Sequence, residues 1–167
     1  MEKGEERSLN IIPVLKKLTK IFEENHIEYC IVGSVSLFLE GVPVEPSDID
    51  VLTTKASAFK IDELLSSHRV LECKLRESNN FRSYFGKYKI DCIDVEIMGE
   101  LQIRKNGKWS KPLIPSSIET KYVTVDGEKV RIAKLKETYK FCKEIGKKKT
   151  CKIIEEHLRK LSRKIKL

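Results

Sequence analysis

The sequence predicts an α+β (α/β) chain: a small mixed sheet flanked by helices, closed by a pair of basic helices at the C-terminal end. Three observations carry this. The short apolar run Tyr29-Cys30-Ile31-Val32 stops at Gly33 and gives way to a segment with a helical apolar face. Two runs of strand character, 83–90 and 93–98, are separated only by Asp91-Cys92 and read as a tight hairpin. Ile154, Leu158, Leu161 and Ile165 recur at i, i+4, i+7 and i+11, one face of a helix.

Taken in order, Leu9, Ile12, Leu15, Leu18 and Phe22 predict a leading amphipathic helix, with Pro13 near its first turn, where a missing N–H is tolerated. Tyr29 to Val32 follow as a buried strand. Ser34 suits the N-cap of the next helix, whose apolar face is Val35, Leu37, Phe38 and Leu39. A loop punctuated by Pro43 and Pro46 leads to Ser47-Asp48-Ile49-Asp50-Val51-Leu52, which alternates polar and apolar as a strand does. Asn106-Gly107 and Asp126-Gly127 lie between short strand-like runs and predict further hairpin turns that extend the sheet or add a small flap. Trp109, beside the first of these, is expected to pack on the sheet, with stacking on a base as the alternative. Helices are predicted around 135–145 and 151–165, separated by Gly146 and the Lys147-Lys148-Lys149 run.

Two short motifs carry chemistry. Gly33 lets an anion approach the backbone closely, and the Ser34 hydroxyl and first-turn N–H groups of the helix add donors, so this corner suits a phosphate. Strand period two places Asp48 and Asp50 on one face. Two carboxylates side by side repel unless a cation joins them, and hard oxygen ligands beside a phosphate suit Mg²⁺. Each motif alone is common, Gly-Ser as a turn and Asp-x-Asp as a solvated strand end; the ordered combination is what points to metal-assisted phosphoryl transfer.

With these residues in view, Ile31-Val32-Gly33-Ser34, Gly41-Val42-Pro43 and Ser47-Asp48-Ile49-Asp50-Val51-Leu52 together resemble the signature of the DNA polymerase beta-type nucleotidyltransferases. The likeness covers roughly residues 9 to 100 and is nearer to small members with a long motif gap, including antibiotic nucleotidyltransferases and AbiE-type antitoxins. It implies the nucleotidyltransferase fold, with Gly33 and Ser34 holding nucleotide phosphates, Asp48 and Asp50 binding two Mg²⁺ ions, and a third carboxylate on a neighbouring strand. One departure stands out: relatives often carry an Arg shortly before the acidic pair, where this chain has Val44-Glu45-Pro46. For the third carboxylate, Ile93, Val95 and Ile97 share one strand face and leave Asp94 and Glu96 on the other. Glu96, in its Val-Glu-Ile-Met-Gly setting, is preferred, and Asp94, nearer the turn, is the alternative. A solvent-facing acidic pair on an edge strand would give the same pattern. Arg82, Lys87 and Lys89 lie close in sequence and could meet a triphosphate, although exposed hairpin charges are the plainer reading.

The expected reaction is transfer of an NMP from an NTP to a hydroxyl on a small molecule, protein or RNA, with Asp48, Asp50 and Glu96 as metal-binding catalytic residues. Two other functions compete: an antitoxin-like partner protein of the same fold, and a nucleic-acid-binding module that has lost catalysis.

Composition sets the frame. A chain of 167 residues, 40% hydrophobic, can bury one real core, so residues 1–133 are expected to form a nucleotidyltransferase-like domain with 134–167 as a basic helical appendage packed on it. Residues 1–133 hold 20 Lys or Arg against 21 Asp or Glu, net −1, whereas 134–167 hold 13 against 4, net +9. Protein partners or RNA are therefore expected at the C-terminal helices, if the charge is more than a solvated face. Cys30, Cys73, Cys92, Cys142 and Cys151 have no metal-ligand spacing and read as reduced thiols; His26, His68 and His157 form no ligand motif. No apolar run approaches the ~20 residues of a membrane span, and a cytoplasmic protein is expected.

Overall fold

The computed structural model describes residues 3–165 (side chains from residue 10). Among them, five α-helices surround one mixed sheet of eight strands. The helices are α1 (Lys3–Glu24), α2 (Gly33–Leu39), α3 (Lys55–Leu64), α4 (Leu135–Glu144) and α5 (Lys148–Ile165). The strands are β1 (Tyr29–Val32), β2 (Ile49–Thr53), β3 (Arg69–Glu77), β4 (Phe81–Ile90), β5 (Ile93–Lys105), β6 (Lys108–Trp109), β7 (Thr120–Val125) and β8 (Glu128–Ala133). Their order is β3-β4-β5-β2-β1-β8-β7, with β6 paired to the far end of β5. Most neighbours are antiparallel; β2 with β5 and β1 with β8 are parallel.

Alternation along the strands divides the sheet into two unlike faces. Ile31, Ile49, Val51, Val95, Ile97 and Ile132 point to the main core, where α1 and α3 cover them with Ile11, Val14, Leu15, Leu18, Phe22, Ala58 and Ile61. The opposite face carries Cys30, Leu52 and Leu101 in a smaller cluster capped by Phe141 of α4. A third cluster, Leu37, Val42 and Ile154 with Leu135 and Tyr139, packs α4 and α5 onto α2 and the loop behind it.

Several expectations need amending. α1 begins at Lys3, so Pro13 is interior rather than near the first turn. Its ring is exposed, and the buried stripe is Ile11, Val14, Leu15, Leu18 and Phe22, with Ile12 only partly covered; the side chain of Leu9 lies outside the described residues. The acidic strand starts at Ile49, leaving Asp48 in the bend before it. The α5 stripe is not packed along its length: Ile154 is fully buried, whereas Leu158, Leu161 and Ile165 are 44%, 42% and 84% exposed.

The three predicted hairpins form. Asp91-Cys92, Asn106-Gly107 and Asp126-Gly127 each have positive φ at both central residues, the geometry that matches strand twist. No helix among the described residues is long and apolar enough to cross a membrane.

Candidate functional site

β1 ends at Val32, and the chain turns through Gly33 at φ +70°, a left-handed conformation that favours glycine. A second constraint acts at the same atom. A Cβ at Gly33 would stand 2.5 Å from Asp50 Oδ2, so the absence of a side chain lets the β2 carboxylate lie against the turn. The Ser36 hydroxyl donates to Gly33 O at 2.8 Å and holds the corner from inside.

Ser34 departs from its expected role. The cap position of α2 is Val32, with no side-chain cap, and Ser34 is inside the first turn. Its Oγ accepts from the Ser47 backbone N–H at 3.3 Å, joining the turn to the residue before Asp48. The hydroxyl hydrogen is still available to donate. α2 has seven residues, so this corner offers an anion the local first-turn N–H groups rather than a long helix dipole.

The sheet brings the carboxylates together. β2 and β5 pair in parallel with Asp50 opposite Glu96, both on the face away from the main core. Burial, then the Glu96 carboxylate hydrogen-bonded beside it, then Asp48, push the Asp50 carboxyl up to about 7, while Lys147 pulls it the other way. The Asp50 carboxyl therefore keeps its proton to a higher pH than an exposed carboxyl does. Asp94, one pleat along β5, is engaged differently: Lys87 Nζ is 4.0 Å from Asp94 Oδ2 and Lys89 Nζ is 3.7 Å from Asp94 Oδ1. Lys87 is also the cross-strand neighbour of Glu96.

Arg82 is turned to other work. Its Nε donates to Gln102 Oε1 at 2.9 Å and its guanidinium lies 4.6 Å from the centre of the Trp109 ring, which has Arg104 at 4.4 Å as well. Trp109 is therefore a cation-stacked hairpin residue, with two guanidinium partners of its own.

Lys147 is the residue that motif reading passed over. It sits in the α4–α5 turn, where Gly146 adopts φ +77° and the Lys147 N–H donates to Cys142 O at 2.9 Å. α4 lies over this part of the sheet, with Thr138 Oγ1 3.5 Å from Ser36 Oγ and Phe141 against the Cys30, Leu52 and Leu101 cluster. A lone lysine in a run of three gives no local signal; only the packing of α4 brings it to bear on Asp50.

Whether these residues suit a divalent cation is a question of donor chemistry. Among the described residues, no three His, Cys, Asp or Glu side chains converge as a ready-made ligand set. The donors are nonetheless hard oxygens, and burial with the neighbouring Glu96 and Asp48 charges disfavours an ionised Asp50. A hard divalent cation answers that repulsion, so Asp48, Asp50 and Glu96 fit one.

The mixed sheet, with the Gly33 turn set against the strands that carry Asp50 and Glu96, is the architecture of a nucleotidyltransferase-superfamily protein. The aminoglycoside-2″-adenylyltransferase family matches residues 14–158, and the chain belongs to that family. The fold is similar to that of a protein from Thermotoga maritima provisionally assigned as a nucleotidyltransferase, at 25% identity and TM-score 0.76, covering 96% of each chain. It is also similar to ANT(2″)-Ia in complex with adenylyl-2″-tobramycin, at TM-score 0.54, with 89% of this chain and 90% of that one covered. At 10% identity that second likeness concerns the fold alone. No curated protein sequence matches the chain.

Proposed function

We propose that the protein is a Mg²⁺-dependent nucleotidyltransferase that moves an NMP from an NTP to an acceptor hydroxyl. The observation that carries this reading is the packing of Asp50 against Gly33 with Glu96 as its strand neighbour, which joins a phosphate-sized turn to a carboxylate pair. Gly33, Ser34 and the first-turn N–H groups of α2 hold phosphate oxygens. Asp48, Asp50 and Glu96 hold the metal; Asp94, already facing two lysines, serves Lys87 and Lys89 instead. When bound, two Mg²⁺ ions would supply charge neutralisation at the triphosphate and a lowered pKa for the acceptor hydroxyl.

In the balanced reaction the acceptor oxygen bonds to the α-phosphorus and the bond from that phosphorus to the bridging oxygen breaks. Pyrophosphate leaves with the electron pair, and the hydroxyl proton passes to solvent. The protein forms no covalent intermediate. Its contribution is orientation: the turn fixes the phosphates, and the sheet register fixes the carboxylates relative to them.

Titration calorimetry with Mg²⁺ and each NTP tests this directly. Wild type is expected to bind at least one NTP in a Mg²⁺-dependent way, and Asp50→Asn and Glu96→Gln to lose that dependence. Equal Mg²⁺-nucleotide binding by wild type and both variants would remove the site.

A partner-binding role has one observation of its own, the exposed Leu158, Leu161 and Ile165 on α5 among Arg159, Lys160, Arg163 and Lys164. This face is compatible with an active enzyme held by a protein partner. Co-purification of the tagged full chain with a stoichiometric second protein, lost on Leu158→Asp/Leu161→Asp, is its test.

A further inference from the structure

The family is named for an acceptor that is an amino sugar, a polycation at neutral pH. The surroundings of the site in this chain carry the wrong charge for one. Resting on the nucleotidyltransferase reading above, we infer that the acceptor hydroxyl belongs to a phosphate-bearing molecule, drawn in by the lysines of the α4–α5 segment.

Three observations converge. The 134–167 segment holds 13 Lys or Arg against 4 Asp or Glu, whereas the rest of the chain is nearly neutral. Part of this excess is brought to the carboxylates, since Lys147 acts on Asp50. α4 packs on the turn through Thr138 and Ser36 and on the site face of the sheet through Phe141, and the α4–α5 turn holds Lys147 by a backbone bond to buried Cys142. Finally, these lysines are not consumed internally. Among the described residues, ion pairs of the segment are Lys136 with Glu119 and Lys160 with Glu156, while Lys140, Lys143, Lys147, Lys148 and Lys149 are exposed.

The same helix borders a separate groove of about 400 Å³ lined by Lys105, Tyr139, Lys140, Lys143 and Glu144, at the end of β5 remote from Glu96, in which Lys143 Nζ lies 5.9 Å from the Tyr139 ring centre. An acceptor that extends from the carboxylates along α4 to this groove meets one carboxylate among three lysines there, a poor host for several ammonium groups, since each would face like charge. A phosphate-bearing acceptor meets the opposite situation. Its phosphates gain from each lysine, and the attraction extends over roughly a Debye length, about 8 Å at physiological salt. Its hydroxyl oxygen takes the NMP, pyrophosphate leaves and one proton is released, as in the reaction above.

The test offers the full chain α-³²P-labelled NTPs, Mg²⁺ and one acceptor at a time: a mixed-sequence RNA oligonucleotide, a panel of sugar phosphates and nucleotides, or tobramycin. Label on the RNA or on a small phosphate ester supports the inference, and which of the two is labelled identifies the source of the phosphate. Label on tobramycin alone overturns it, as does a failure to label any phosphate-bearing acceptor when calorimetry has shown Mg²⁺-NTP bound. Absence of nucleotide binding would overturn the site itself, and the inference with it. Lys140→Glu/Lys143→Glu provides a readout that a structural role would not move. With two fewer phosphate contacts, its labelling should fall about tenfold less than wild type between ~50 mM and ~200 mM salt. An unchanged salt dependence would remove these two lysines, and the groove they line, from acceptor binding and so overturn the inference.

Discussion

Asp50 Oδ2 occupies the space that a side chain on Gly33 would fill, 2.5 Å from where a Cβ would stand. The two motifs that carry the chemistry, separated by a helix and a Pro-rich loop in sequence, thus meet at a single atom. Gly33→Ala is expected to act twice, through the left-handed φ of +70° and through displacement of the Asp50 carboxylate. Backbone strain alone costs about 1–3 kcal/mol. Thermal unfolding should report that loss, and Mg²⁺-NTP affinity should fall with it; an unchanged affinity would mean that the turn does not set the carboxylate.

Asp50 also gives the stability a pH dependence of definite sign. Its carboxyl is raised from 3.8 to about 7 on folding, so between these values the native chain binds a proton that the unfolded chain has released. Stability from this group therefore falls as pH rises from about 4 to about 7 and stays low above. Asp50→Asn removes the cost, and its melting temperature should exceed that of wild type at pH 8 yet match it near pH 4. Mg²⁺ should raise the wild-type melting temperature at pH 8, do little at pH 5, and leave the variant unmoved.

Ile154 and Ile165 lie on one helical stripe but differ in burial, 0% against 84% exposed. Ile154→Ala should cost about 2–5 kcal/mol, because it opens a cavity against Leu37 and Val42. Ile165→Ala should stay within about 0.5 kcal/mol. Chemical denaturation of the two variants measures the difference, and similar midpoints would mean that α5 is not docked through Ile154.

The five thiols should separate by reactivity. Cys92 is exposed in the β4–β5 turn, whereas burial pushes the Cys30 thiol up to about 12, that of Cys73 to about 11, and that of Cys142 upward as well. Maleimide labelling of the native protein, mapped by mass spectrometry, should modify Cys92 first and leave Cys30, Cys73 and Cys142 until denaturant is added. Early modification of Cys30 would indicate that the α4 side of the sheet opens readily.

What could be read in advance was whatever leaves a local periodic trace. β1, β2, the β4–β5 hairpin and the two later hairpins combine alternation with turn residues of fixed preference, and Asp50 and Glu96 inherit their common face from that alternation. β3 left no such trace. It is an edge strand with five charged residues, and only Cys73 is buried, so nothing alternates along it. α3 was equally faint, with Ala58 and Ile61 as its buried residues. The start of α1 was missed because Pro13 resembles a beginning, although an exposed ring can sit within a helix whose other side is anchored. For α5, periodicity identified an apolar face correctly and could not say how much of it the chain covers. Ser34 and Lys147 belong to a different category: what they touch is fixed by the docking of Ser47 and α4, which no short window contains.

The parallel seam between β2 and β5 makes the chemistry a hostage of the oil-like side of the sheet. Ile49, Val51, Val95 and Ile97 bury one surface, and because side chains alternate, their burial alone decides that Asp50 and Glu96 emerge together on the other. A slip of one residue along this seam would turn Glu96 into the core and set an aliphatic side chain beside Asp50. Neither carboxylate can drift relative to its neighbour without exposing four aliphatic residues. Single-residue insertions or deletions in the Asp91-Cys92 turn should therefore abolish function through misregistration, even in molecules that still fold.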